Sequence, residues 1–264
     1  MPPLLHLVRH AEGYHNLGPQ YWKLPDPLLT EAGKRQCWEL RESFSAKSTV
    51  DLVVTSPMRR AIYTGLGAFN FVFEYHPDRK LIALPSLQEL SEFPCDVGSK
   101  LEDLQNEVQQ QNLPVDLGYV EEGWYIKTGK YKSTLESIRD RAQSTRSWLK
   151  ARPEKEIVVV THGGFLHFLT DDWEDGAKYE ATGWNNVECR TYEFLSDRGN
   201  SGGPDDAELQ ETMNSRRRRG KLDLPLSPDT QDRLRRGILL DWAKQGYTIG
   251  SPTVTENSSP DFQL

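Results

Sequence analysis

Short β-branched runs alternate with stretches of helical periodicity along most of this 264-residue chain. Residues 4–8, 51–55, 81–84, 157–161 and 187–194 read as five strands. Between the first two, Thr30 is placed as the N-cap of a helix whose apolar face is Ala32, Cys37, Leu40 and Phe44. Ser56 before Pro57 reads as a second helix start with proline at the first helical position. Ser133 and Glu136 make a capping-box pattern around a face of Leu135, Ile138, Ala142 and Leu149. Leu234, Ile238, Leu239 and Trp242 recur at helical spacing within 228–244 and predict a C-terminal helix docked on the body. Strand and helix in alternation predict an α/β fold of three layers, a mostly parallel central sheet flanked by helices.

Length sets one domain over residues 1–246, and the polar, proline-containing stretch 247–264 reads as a disordered tail. Residues 196–206, rich in Gly, Ser and Asp, read as a loop. With a mean hydropathy of −0.67 and no apolar run near the roughly 20 residues of a membrane span, no membrane partner is expected. The N-terminus lacks a secretory pattern, which predicts a cytoplasmic protein. Cys37, Cys95 and Cys189 are widely spaced and odd in number, so they read as reduced thiols rather than a disulfide framework or a zinc pattern.

Net charge is −7, but nine Lys or Arg against four Asp between Met213 and Lys244 leave −12 on the remainder. Such a body repels nucleic acid at long range and must bind anions through local donors, which favours a phosphorylated small molecule as partner. The run Arg216 to Arg219 is read as a solvated basic loop. A nuclear-localisation or nucleic-acid element, or a phosphate contact at a pocket rim, are the alternatives.

The candidate chemistry lies at strand ends. Arg9 and His10 follow the first strand, Arg60 the second, Glu89 the third and His162 the fourth, so all are expected at one edge of the sheet, where α/β proteins bind ligands. Arginine forks and an asparagine amide suit phosphoryl oxygens.

Arg9-His10-Ala11-Glu12 with Asn16, Ser56-Pro57-Met58-Arg59-Arg60-Ala61 with Thr64, Glu89, and His162-Gly163 resemble, in order, the signatures of the histidine phosphatase (phosphoglycerate mutase-like) superfamily. The match spans residues 4 to 170 or so and is nearest to fungal and plant members with an Arg-His-Ala start. The resemblance implies a phosphoglycerate mutase-like fold, His10 as the phosphorylated nucleophile, His162 steadying the transferring group and Glu89 as acid and then base. It assigns Arg9, Asn16, Arg60 and Gly163 to the substrate phosphate. No metal or other cofactor is expected.

Glu92 is the alternative acid, with Asp96 close by, and Arg59 reads as a solvated neighbour of Arg60. His6, His76 and His167 read as ordinary polar residues and His15 as a loop histidine, with a ring pointing into the pocket beside Asn16 as the alternative. Tyr21-Trp22 and Trp124-Tyr125 read as packing, with lid aromatics as the alternative. Ala11, where glycine is commoner, implies a slightly reshaped pocket floor.

Three functions stay in view: a metal-independent phosphatase of small phosphomonoesters, a phosphoglycerate mutase, and an inactive phospholigand-binding protein. Residues 100–135 lack the Arg-Arg and proline-rich insertion of mutases, with Lys127, Lys130 and Lys132 the only basic residues after Lys100. The acid-phosphatase and phytase branch is disfavoured because no aspartate follows His162. Arg9, His10, Arg60 and His162 are all present, which favours an enzyme.

Overall fold

The computed structural model describes residues 1–176, 182–195, 207–221, 224–246 and 249. The expected loop at 196–206 and, apart from Ile249, the expected tail lie outside the described residues. Seven strands form one sheet in the order β4-β3-β2-β5-β1-β6-β7. They are β1 (Leu4–Arg9), β2 (Leu52–Thr55), β3 (Leu81–Ala83), β4 (Val115–Asp116), β5 (Glu156–Thr161), β6 (Cys189–Phe194) and β7 (Leu209–Glu211). The first five are parallel, and β6 and β7 close one edge antiparallel. The fold is thus the mostly parallel α/β sheet expected; β4 and β7, of two and three residues, are too short to show a period.

Helices cover both faces. α1 (Glu31–Ser43), α2 (Arg59–Ala68), α3 (Phe71–Tyr75) and α4 (Leu101–Gln110) share a core with Val8, Val53, Val158 and Val160. α5 (Leu135–Lys150), α6 (Gly163–Thr170) and α8 (Pro228–Lys244) pack on the other face over Leu5, Leu7, Val54, Ile157 and Val159. α7 (Met213–Arg218) follows β7. Strands buried on both faces need apolar residues at every position, which is why β2 and β5 read as unbroken β-branched runs. α8 docks as expected through buried Ile238 and Trp242.

Two helix starts move because tertiary hydrogen bonds override local signals. α2 begins at Arg59 rather than Pro57: Met58 is extended, and the Arg59 backbone N–H donates 3.0 Å to the carboxylate of distant Asp26. α5 is capped by Thr134, which accepts from the Ser137 backbone, whereas Ser133 Oγ donates 2.8 Å to the Leu90 carbonyl. Thr30 caps α1 as predicted, accepting 3.0 Å from the Gly33 backbone.

The basic run is not a solvated loop. Thr212 caps α7, and Arg216 is buried against Glu174 at 3.0 Å. Arg219 bridges Asp175 and Glu211, each at 2.6 Å, and Lys221 meets Asp175 at 2.6 Å. Arg217 and Arg218 are exposed, with Arg218 donating to Thr191 Oγ1. The acidic excess elsewhere in the chain is thus partly neutralised from within.

α1 lies so close to the loop after β1 that a Cβ on Gly33 would stand 2.1 Å from the Glu12 carbonyl oxygen. Gly33→Ala is expected to lower stability by about 1–3 kcal/mol, the usual penalty of overpacking. Gly237→Ala in α8, with nothing within 4 Å, should instead gain up to about 1 kcal/mol from helix propensity. Denaturant unfolding of both variants checks this; a Gly33→Ala protein as stable as the parent would contradict the packing.

Candidate active site

Register brings the chemistry together. β1 runs beside β5 with Arg9 opposite Thr161, and β2 beside β5 with Thr55 opposite Val160, so His10, His162 and Ser56 leave the sheet at one level. Thr55 also pairs Ala83 of β3, from which the chain continues to Glu89. A cavity of about 720 Å³ opens there, lined by Arg9, His10, His15, Asn16, Glu89 and Asp96 among others.

His10 is almost wholly buried. Its Nδ1 lies 2.8 Å from the Ala11 carbonyl, an acceptor that places the proton on Nδ1 and leaves Nε2 unprotonated. Arg60 Nε donates to Nε2 over 3.2 Å. Burial, then the charges of Arg60, His15 and Arg9, hold the imidazole well below its ordinary pKa, so it is neutral.

Arg60 is completely buried on the first turn of α2, and each terminal nitrogen places a donor in the protein, one on the Cys95 carbonyl at 2.6 Å and the other on Asp96 at 2.9 Å. Ser91 Oγ donates 2.6 Å to the other Asp96 oxygen. Arg59 turns away to pair Glu107 at 2.9 Å and is half-buried rather than solvated. Thr64 accepts from the Ala11 backbone at 2.9 Å and donates to the Arg60 carbonyl at 2.7 Å, locking the loop after β1 onto α2. Ala11 itself is fully buried in the core under this loop.

His162 sits behind His10, ring centroids 5.1 Å apart, fully buried, and neither of its ring nitrogens has a hydrogen-bond partner among the described residues. Burial first, and then Arg60 and His10, keep it neutral. His15 is not a remote loop residue: its ring lines the cavity 5.3 Å from His10, and burial and the two arginines lower its pKa too.

Asn16 reaches the wall from the short helical turn Tyr14–Leu17. Its Oδ1 accepts from the Gly13 backbone at 3.0 Å and from Asn186 at 3.5 Å, which directs its amide donors elsewhere. Asn186 also donates 2.9 Å to the His10 carbonyl. The next residue, Val187, was expected to open the fifth strand but stands at φ 55, a conformation costly for a β-branched side chain, and the strand begins at Cys189. That turn is what lays Asn186 over the loop after β1.

Glu89 is half-buried and caps α6. Its carboxylate accepts from the Leu90, Phe165 and Gly164 backbones at 3.0, 3.1 and 3.2 Å. Burial and the nearby Asp96 charge outweigh these donors and raise its pKa. Glu92, the alternative acid, is exposed and outside the cavity wall. Lys127 Nζ donates 2.8 Å to both Gln88 Oε1 and the Glu89 carbonyl, and burial brings its pKa down to about 7.

Gly163 lies behind the wall against Thr182, and Gly164 is the glycine that faces the cavity. Trp22 lines the cavity, whereas Trp124 is buried against Gly98. His6 and His167 are tied to Thr191 and Glu156, and to the Asp172 and Thr182 carbonyls, respectively. Burial raises the three thiols to about 12, including Cys95 in the wall. Among the described residues no cluster of His, Cys, Asp and Glu is arranged to hold a metal ion, and no helix is long and apolar enough to cross a membrane.

Asp96, Asn186, Gly164 and α8 escape a reading by motif, because each reaches the site through a loop or a remote element. The resulting arrangement offers a neutral imidazole nitrogen, Arg9 and a carboxyl of raised pKa in the wall of one cavity, with Arg60 behind His10.

A probable phosphatase of Schizosaccharomyces pombe is 29% identical over 163 residues, covering 60% of this chain and 73% of that protein. A phosphoglycerate mutase-like protein of Arabidopsis thaliana is 29% identical over 241 residues, with 75% and 86% covered. Among solved structures, a phosphoserine phosphatase of Entamoeba histolytica, crystallised with phosphoserine, superposes with a TM-score of 0.46 at 18% identity, covering 80% of this chain and 95% of that one. The sequence profile of the histidine phosphatase superfamily (branch 1) matches residues 5–201, and the chain belongs to that family.

Proposed function

We propose that this protein is a metal-independent phosphatase that hydrolyses small phosphomonoesters through a phosphohistidine at His10. The observation that carries the reading is the His10 imidazole, with Nδ1 on the Ala11 carbonyl and Nε2 directed at Arg60. In the first step Nε2 attacks phosphorus, the bond to the ester oxygen breaks, and the Glu89 carboxyl gives its proton to the departing alkoxide. In the second, Glu89 takes a proton from water, whose oxygen attacks the phosphoryl group and frees His10. Arg9, Arg60, the Asn16 amide and His162 hold the phosphoryl oxygens as charge shifts between them.

His10→Ala should abolish phosphoenzyme formation and turnover, read by acid-quenched labelling and by phosphate release. A variant retaining a tenth of the parent rate would sink the covalent route.

The first step needs His10 unprotonated and Glu89 protonated. His10 is held below its ordinary 6.5, so acid inactivation falls below that pH; Glu89 is raised above its ordinary 4.5, so activity is lost as pH climbs through that elevated value. In single turnovers, Glu89→Gln should slow an alkyl phosphate by roughly a hundredfold or more. It should also remove the alkaline limb and slow p-nitrophenyl phosphate much less. Equal slowing of both esters, with the alkaline limb intact, would take the acid role from Glu89.

A further inference from the structure

We infer that the site selects phosphomonoesters whose leaving alcohol carries an uncharged, largely apolar group, and rejects those bearing a second anion; this rests on the phosphatase reading above. The cavity, about 720 Å³, falls in the range of roughly 300–1,000 Å³ that accommodates drug-sized ligands and far exceeds one phosphoryl group. The leaving group therefore occupies most of it.

Charge in the wall is spent at the phosphoryl end. Arg9 is the only lysine or arginine among the described residues of the lining, and the wall also carries the carboxyls of Glu89 and Asp96. Arg60 beneath the floor is already matched to Asp96 at 2.9 Å. Lys127 is held by Gln88 and the Glu89 carbonyl and does not line the cavity. A phosphoryl dianion uses Arg9 and Arg60, so a second carboxylate or phosphate would meet no further lysine or arginine among the described residues of the wall.

The rest of the wall is built for apolar contact. Pro19, Trp22, Leu90, Trp242 and Ile249 contribute to it, and Trp22 is braced by Phe93 with ring centroids 5.1 Å apart. α8 meets the cavity at its C-terminal turn, through Trp242 and Gln245. That is the negative end of the helix dipole, a further penalty on an anion and none on a hydrocarbon. Each methylene buried there is worth about fourfold in specificity.

Alkyl phosphates share a nearly constant leaving-group basicity, so they separate binding from chemistry. kcat/KM from phosphate release, measured on the full chain, should rise at least tenfold from n-butyl to n-octyl phosphate. 3-Phosphoglycerate should lie at least tenfold below glycerol 3-phosphate. A flat alkyl series, or a preference for 3-phosphoglycerate, overturns the inference while p-nitrophenyl phosphate turnover keeps the hydrolase reading. No release from any ester overturns both. Gln245 is exposed at the C-cap of α8, so Gln245→Arg should fold and place a cation in the wall where α8 meets the cavity. Its ratio of 3-phosphoglycerate to glycerol 3-phosphate activity should climb severalfold; an unchanged ratio would put the leaving group away from α8 and contradict the assignment.

Discussion

Parallel pairing of β1 and β2 on either side of β5 is the constraint on which the site depends. With Arg9 opposite Thr161 and Thr55 opposite Val160, three strands end at one level, and the residue after each is delivered to the same small volume. A slip of one residue in this register would turn every strand side chain to the other face and carry His10 away from His162. The two cores prevent it, because valines and leucines alternate across the sheet between α1 and α2 on one side and α5, α6 and α8 on the other.

Burying cations beneath an anion site is costly, and the fold answers with acceptors rather than solvent. Arg60 is fully buried and uses Nε on His10, one terminal nitrogen on the Cys95 carbonyl and the other on Asp96. An unpaired cation at that depth would cost several kcal/mol, so Asp96 is as much a part of the site as Arg60. Burial first, and then the same cations, explain why His10, His162 and the half-buried His15 cluster there in neutral form. Positive charge and burial both act against protonation, and a neutral imidazole is the nucleophilic one.

The second charge system is built on the same logic at the other edge of the sheet. Arg216, Arg219 and Lys221 fold onto Glu174, Asp175 and Glu211, and Arg190 joins through Glu188 at 2.7 Å. This network ties α7 and β7 to the turn that follows α6. A run of four arginines that looks like a solvated patch in one dimension sends Arg216 and Arg219 to acidic partners in three.

By itself the sequence determined the α/β class, five of the seven strands and the docked C-terminal helix, because each follows from local periodicity, and its ordered motifs at strand ends pointed to Arg9, His10, Asn16, Arg60, Glu89 and His162 as candidates. Tertiary structure alone decided which neighbours complete them. Asp96 pairs Arg60 across 36 residues, Asn186 reaches His10 across 176, and Asp26 rather than Ser56 serves the start of α2. Such partners carry no local signature, since a carboxylate or amide becomes a cap or a counterion only where the chain has brought an unpaired donor. The same reason hid β4 and β7, whose two and three residues are strands only because a neighbour pairs them. His15 joined the cavity for a related reason: a ring on a short helical turn points toward whatever the sheet places opposite it.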